Sequence, residues 1–260
     1  MKAVVLSAGQ GKRLLPLTES LPKCLLPFAG RTLLEWQLRA LATQGVTEAV
    51  VVVGFAAKAV EAALERLDVP GLAVRTLFNP FYSVADNIGS CYVALPEMTG
   101  DFLVLNGDTL FEPAVLKTLL AGSTAPVTVT IDRKERYDAD DMKVCLDGGH
   151  RLLAIGKTLP ADRVDGESIG MLLFRGDGGA HFAGAIQAVI REIDGPRRWY
   201  LSAIDWLARN GGGVGTVSIE EYQWGEVDFP ADVEHARRLV EGWVAAGRFA
   251  LPMAERRRSA

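Results

Sequence analysis

The chain has 260 residues, 49% of them hydrophobic and 23% charged, an ordinary balance for a folded protein with a sizeable core. Its 28 basic and 32 acidic residues leave a net charge of −4, which argues against a nucleic-acid binder, whose footprint is a basic excess. Three scattered cysteines, Cys24, Cys91 and Cys145, show no CxxC or Cys/His spacing, so neither a disulfide framework nor structural zinc is expected.

In chain order, AVVLSA, EAVVVVGF, LAVRTLF and DFLVLNGD are short, continuously apolar runs, the pattern expected of strands buried on both faces. Helical patterns lie between them: TLLEWQLRALATQG, AAKAVEAALERL and EPAVLKTLLAG. In the first, Leu34, Leu38 and Leu41 recur on one face, and Gly45 stands where the helix should stop. Alternating strand and helix predicts βαβ units around a parallel sheet. From about Ala125 the pattern changes. VTVTIDR, MKVCLDGGHRLLAIGK and ESIGMLLF read as successive strands, with a hairpin at Asp147-Gly148-Gly149. AGAIQAVIREI and LSAIDWLARNG restore helices, GVGTVSI a strand, and WGEVDFPADVEHARRLVEGWVAAG begins as a strand and ends as an amphipathic helix.

No repeat or Pro/Gly/Ser linker interrupts the chain. The expectation is one domain over residues 1–250, with a nucleotide half at 1–124, an acceptor half at 125–250 and a solvated tail at 251–260. Met1-Lys2 leads into the first strand with no signal-peptide arrangement, and no apolar run approaches the ~20 residues of a membrane span. A cytoplasmic setting without stable membrane insertion is therefore expected.

The chemistry concentrates at strand ends. Leu6, Ser7 and Ala8 run into Gly9 and Gly11, followed by Lys12 and Arg13. Neither the dinucleotide nor the P-loop fingerprint fits, since Leu14 stands at the third glycine position and Arg13 follows Gly-Lys. Glycines after a buried strand nonetheless let backbone N–H groups approach phosphate oxygens. Arg13 offers a planar fork and Lys23 a point charge, on a loop stiffened by Pro16 and Pro22. Asp108 closes LVLNGD and Asp228 closes QWGEVD. Each suits a turn or a helix N-cap; together they suit Mg²⁺, which prefers oxygen ligands and takes one or two from protein. The three histidines, His150, His181 and His235, show no triad setting.

The opening 41 residues, from MKAVVLSAGQGKR through PLTESLPK to the LLEWQ helix, resemble the signature of the nucleotide-sugar pyrophosphorylase-like nucleotidyltransferases. Asn106-Gly107-Asp108 and VDFPADVEHA resemble that family's second and last motifs. ADNIGSCYVAL, IGK and GESIG resemble its phosphocholine and inositol-1-phosphate cytidylyltransferase branch. Two departures stand out. The terminal motif reads EVDFP where the branch has E-I-D-T, and an expected acidic residue is missing around Tyr200-Leu201.

The resemblance implies a Rossmann-like three-layer α/β/α sandwich with a mostly parallel mixed sheet. It further implies Mg²⁺-dependent transfer of CMP from CTP to a phosphorylated small alcohol, releasing pyrophosphate. Arg13, Lys23, Asp108 and Asp228 would carry the chemistry, with both aspartates as metal ligands. Leu6 to Gly9, Gly11, Lys12, Asn87, Ser90 and Gly107 would bind nucleotide; Lys157, Glu167, Tyr200 and Trp224 would bind the acceptor. Alternatives are sugar-1-phosphate uridylyl or thymidylyl transfer, a phosphonate or inositol-phosphate acceptor, and a non-catalytic nucleotide-binding regulator; a homodimer stays open. Two aromatic groups, Phe78/Phe81/Tyr82 and Trp199/Tyr200/Tyr222/Trp224, would suit a quaternary ammonium or ordinary packing.

Overall fold

A computed structural model describes residues 1–249, so the 251–260 tail lies outside the described residues. In the first half the strands are β1 (Lys2–Ser7), β2 (Pro27–Phe28), β3 (Arg31–Thr32), β4 (Glu48–Val53), β5 (Ala73–Phe78), β6 (Phe102–Asn106) and β7 (Thr109–Phe111). The second half supplies β8 (Val127–Asp132), β9 (Lys143–Leu146), β10 (Leu152–Gly156), β11 (Gly166–Phe174), β12 (Val214–Ser218) and β13 (Trp224–Glu226). The α-helices are α1 (Leu33–Thr43), α2 (Ala57–Glu65), α3 (Asn87–Ala94), α4 (Pro113–Gly122), α5 (Gly178–Ile190), α6 (Leu201–Arg209) and α7 (Pro230–Ala245).

A nine-stranded mixed sheet unites both halves. β5, β4, β1 and β6 are parallel neighbours. β11 lies antiparallel to β6 and carries β8 on its other side, with β12 parallel to β8. The β9–β10 hairpin joins the start of β11. Because strand side chains alternate, β1 feeds two cores. Ala3 and Val5 pack with Leu34, Leu38, Leu116 and Trp243 on one face. Val4 and Leu6 pack with Ile88, Phe182, Ile186 and Ile204 on the other. The result is the three-layer α/β/α arrangement the sequence implied.

Where the sequence reading differs, the cause is local. LAVRTLF is not buried on both faces: β5 is the last strand of its side, and Ala73, Arg75 and Phe78 are exposed. α3 was not expected, since Gly89 and Ser90 are poor helix formers; Asp86 starts it by accepting from the Asn87 N–H at 2.7 Å. α5 begins at Gly178, ahead of the apolar AGAIQAVIREI run. The two-residue strands β2 and β3 and the three-residue β7 are too short to leave a periodic signal.

Candidate active site

β1 is flanked by β4 and β6, so the chain leaves it in opposite directions on its two sides. In open α/β sheets a crevice forms at such a point, beyond the carboxyl ends of the strands. Here that crevice is a cleft of about 570 Å³. All of Leu6, Ser7, Ala8, Gly9, Gly11, Lys12, Arg13, Lys23, Asn87, Ser90, Gly107, Asp108, Lys157, Glu167, Tyr200, Trp224 and Asp228 line it. None of the three histidines does.

The glycines have different duties. A Cβ at Gly107 would stand 2.5 Å from the Leu6 carbonyl oxygen and from Ser7 Oγ. Only glycine lets the ends of β1 and β6 touch there, with Gly107 N donating to Leu6 O at 3.0 Å. Gly11 adopts a left-handed φ of 78° that turns the loop toward Lys23. Gly9 meets nothing; its missing side chain leaves open room in the cleft.

Asp108 and Asp228 meet through a short ladder. β13 pairs antiparallel with β7, placing Glu226 opposite Thr109, and Val227 N donates to Asp108 O at 3.1 Å. Asp232 accepts from the Asp228 and Phe229 N–H groups at 2.9 and 2.7 Å, which caps the chain before α7 and leaves the Asp228 carboxylate free for the cleft. Lys23 Nζ then sits between the two aspartates, 2.7 Å from Asp108 Oδ2 and 2.6 Å from Asp228 Oδ1. Arg13 reaches Asp228 Oδ2 at 3.3 Å and stacks over Phe229, 4.8 Å from its ring centre. Lys23 stands between the buried Pro22 and Cys24, and the loop before it is closed by Thr18, whose hydroxyl donates to Gly11 O at 2.8 Å.

Electrostatics follow from this crowding. Burial disfavours the Lys23 charge, but Asp108 and Asp228 outweigh burial and raise its pKa. Burial alone would raise Asp228; Lys23, with Arg13 and Lys157, pulls it below the usual carboxylate value. Glu226 is pushed up to about 8, by burial first and then by Asp108 and Asp228. Glu167 is pushed up to about 7 by burial, against the opposing pull of Lys134.

The residues present fit a hard divalent cation. The donor set is oxygen only, and Asp108 Oδ1 is buried without a hydrogen-bond partner among the described residues. No group of three or more metal-ligating side chains occurs among the described residues.

Elsewhere in the cleft, Lys157 Nζ lies 4.4 Å over the Trp199 ring and 3.2 Å from Asp140 Oδ1. Asn87 Oδ1 accepts from Tyr200 N at 2.8 Å, and the Asn79 amide donates to Ser90 Oγ at 3.0 Å. Asn87 and Ser90 are thus positioned by partners on other elements. The aromatic residues do not form one cage. Tyr200 is fully buried, its ring edge-on to Phe182; Trp224 Nε1 donates to Asp132 at 2.7 Å; Phe78 and Phe81 are half exposed and do not line the cleft. Sequence reasoning assigned no role to Glu226, the last residue of β13, two residues before Asp228. It also missed that Asp140 bridges Arg13 and Lys157.

A CMP-5'-(3-aminopropyl)phosphonate synthase of Streptomyces rubellomurinus is 30% identical to this chain over 243 residues, 91% of the chain and 38% of the relative. A bifunctional IPC transferase and DIPP synthase of Rubrobacter xylanophilus is 32% identical over 250 residues, 94% of the chain and 53% of the relative. The chain therefore spans 38% and 53% of the length of these two curated relatives. The inositol-1-phosphate CTP transferase from T. maritima superposes with a TM-score of 0.76 at 23% identity, covering 93% of this chain and 96% of that one, so the two share a fold. The family model described as a MobA-like NTP transferase domain matches residues 3–205, and the chain belongs to that family of nucleotidyltransferases.

Proposed function

We propose that this protein is a Mg²⁺-dependent cytidylyltransferase that transfers CMP from CTP to a phosphorylated small alcohol of the phosphocholine type. A phosphonate or inositol phosphate is a close variant. The observation that carries the reading is the meeting of Arg13, Lys23, Asp108 and Asp228 at one rim of the sheet, with Lys157 lining the same cleft.

The reaction needs no general base, because the acceptor's phosphoryl oxygen is already ionised near neutral pH. That oxygen attacks the α-phosphorus of CTP. The bond from the α-phosphorus to the bridging oxygen breaks, and the electron pair leaves with pyrophosphate. The protein's task is to align two anions that repel each other and to neutralise the charge that accumulates on the leaving group. In this reading Arg13 and Lys23 serve the triphosphate and Lys157 the acceptor phosphate; all three line the cleft. Asp108 and Asp228 would hold the metal, which when bound supplies positive charge to the phosphate oxygens.

Pyrophosphate release measured with each of four nucleoside triphosphates against a panel of phosphorylated alcohols, phosphonates and sugars tests this. CTP with a phospho-alcohol supports the proposal. UTP or dTTP with a sugar 1-phosphate replaces it with sugar-nucleotide synthesis, and no release with any pair favours a regulator.

A further inference from the structure

An unbroken series of alternating charges crosses the cleft: Asp108, Lys23, Asp228, Arg13, Asp140, Lys157. The first two carboxylates in it have a use in holding a cation. Asp140 has none. It lies on the segment between β8 and β9, its Oδ2 3.4 Å from Arg13 Nη1 and its Oδ1 3.2 Å from Lys157 Nζ. One carboxylate thus gives one oxygen to each of two cations that reach in from different elements, the loop after β1 and the end of β10. A phosphoryl group entering the cleft offers its oxygens in the same way.

The segment is built to keep Asp140 there. The buried Lys143 ammonium donates to the backbone carbonyls of Asp138, Asp141 and Lys157, which ties the segment to the end of β10. Lys134 Nζ bridges Asp141 Oδ2 at 2.7 Å and Glu167 Oε1 at 2.9 Å, which ties it to β11. Asp138 N donates to Asp141 Oδ2 at 2.6 Å. The Asp140 side chain itself is 56% exposed and is held at its tip by its two ion pairs.

We propose that Asp140 is an internal competitor for the phosphoryl oxygens that Arg13 and Lys157 receive: it pairs with both cations and must be displaced by a substrate anion. The inference rests on the nucleotidyltransferase reading for the identity of that anion. Its physical content is a population argument. The apparent affinity for a phosphoryl group is the intrinsic affinity reduced by the fraction of molecules in which Asp140 has let go. The occupant is a single negative charge, so a phosphoryl dianion gains more from the two cations than Asp140 does.

Calorimetric titration of inorganic phosphate into the full chain tests this without a nucleotide. Two exposed ion pairs give up on the order of fivefold in affinity when their shared carboxylate competes, so Asp140→Asn should bind phosphate roughly fivefold tighter than the wild type. The gain should shrink at high salt and vanish in Asp140→Asn combined with Lys157→Gln. Asp140→Glu, which keeps the charge, should stay close to wild type and separates loss of charge from damage to the segment. Equal or weaker phosphate binding by Asp140→Asn overturns the proposal, as does a gain that survives loss of Lys157. Failure of the CTP assay would leave these outcomes untouched. A negative phosphate result beside CTP turnover would remove Asp140's role alone.

Discussion

The two halves of the cleft are built on different principles. On the side proposed for the nucleotide, Ala8 and Asp108 follow the buried parallel strands β1 and β6, and Asp228 joins them from beyond the short antiparallel strand β13. Lys23 is gripped by two carboxylates, and Gly107 touches Leu6 and Ser7 so closely that no side chain fits. On the side proposed for the acceptor, Lys157 follows the end of a hairpin, Trp199 precedes a helix and Asp140 lies on an irregular segment. Lys157 rests on Trp199 and Asp140, and Asp140 itself is more than half exposed. Under the proposed function the contrast suits two tasks. A triphosphate presents the same charges in every reaction of this kind, so a rigid receiver serves. An acceptor varies, and a looser wall can change without disturbing the sheet.

The strongest way to break this comparison is to remove the rigid side's charges. Lys23→Met or Asp108→Ala should lower kcat on the order of 10²–10³-fold, as loss of a preorganised electrostatic group does. Steady-state pyrophosphate release checks it, and near-normal turnover of Asp108→Ala would refute the assignment. Gly107→Ala attacks the same side through sterics. Its Cβ would lie 2.5 Å from Leu6 O and 2.9 Å from Ser7 Cα, so the strand ends must part, at a cost of about 1–3 kcal/mol visible as a lower denaturant midpoint. A midpoint equal to wild type would show that β1 and β6 are less constrained than described.

The pH dependence probes the border between the sides. Glu167 and Glu226 have folded-state pKa values raised from 4.5 to about 7 and about 8. A carboxyl raised on folding contributes stability that is fully present below its unfolded value and lost as pH rises through its folded value. Glu167→Gln removes that group's share, so the fall in unfolding free energy between about pH 5 and pH 7 should become shallower than in the wild type. An unchanged slope would mean that Glu167 titrates normally. The smallest effect is expected on the loose side. Trp199→Leu removes the ring under Lys157, a partly exposed cation–π contact of about 0.5–1 kcal/mol. The acceptor KM should then rise about two- to fivefold with the KM for CTP unchanged. A matching rise for CTP would place Trp199 on the wrong side of the cleft.

The same contrast explains what could be read in advance. Arg13 and Lys23 were legible because the loop that carries them is continuous in sequence and punctuated by Gly11, Pro16 and Pro22. Asp108 and Asp228 were legible as strand-end carboxylates, but nothing in their spacing said that they meet. Glu226 escaped notice because its weight comes from β13 lying against β7, which brings a third carboxylate beside the other two. β5 was read as buried because Val74, Leu77 and Phe78 are apolar, yet a strand's burial depends on having neighbours on both sides.

The sequence by itself determined the alternation of strand and helix, the hairpin at Asp147 to Gly149 and the glycine turn after β1, because periodicity and turn chemistry act over a few residues. Tertiary structure alone decided which charges face each other: the Lys23 bridge between Asp108 and Asp228, and the Asp140 bridge between Arg13 and Lys157. Coulomb energy depends on separation in space, and separation in space is set by how strands far apart in the chain are paired.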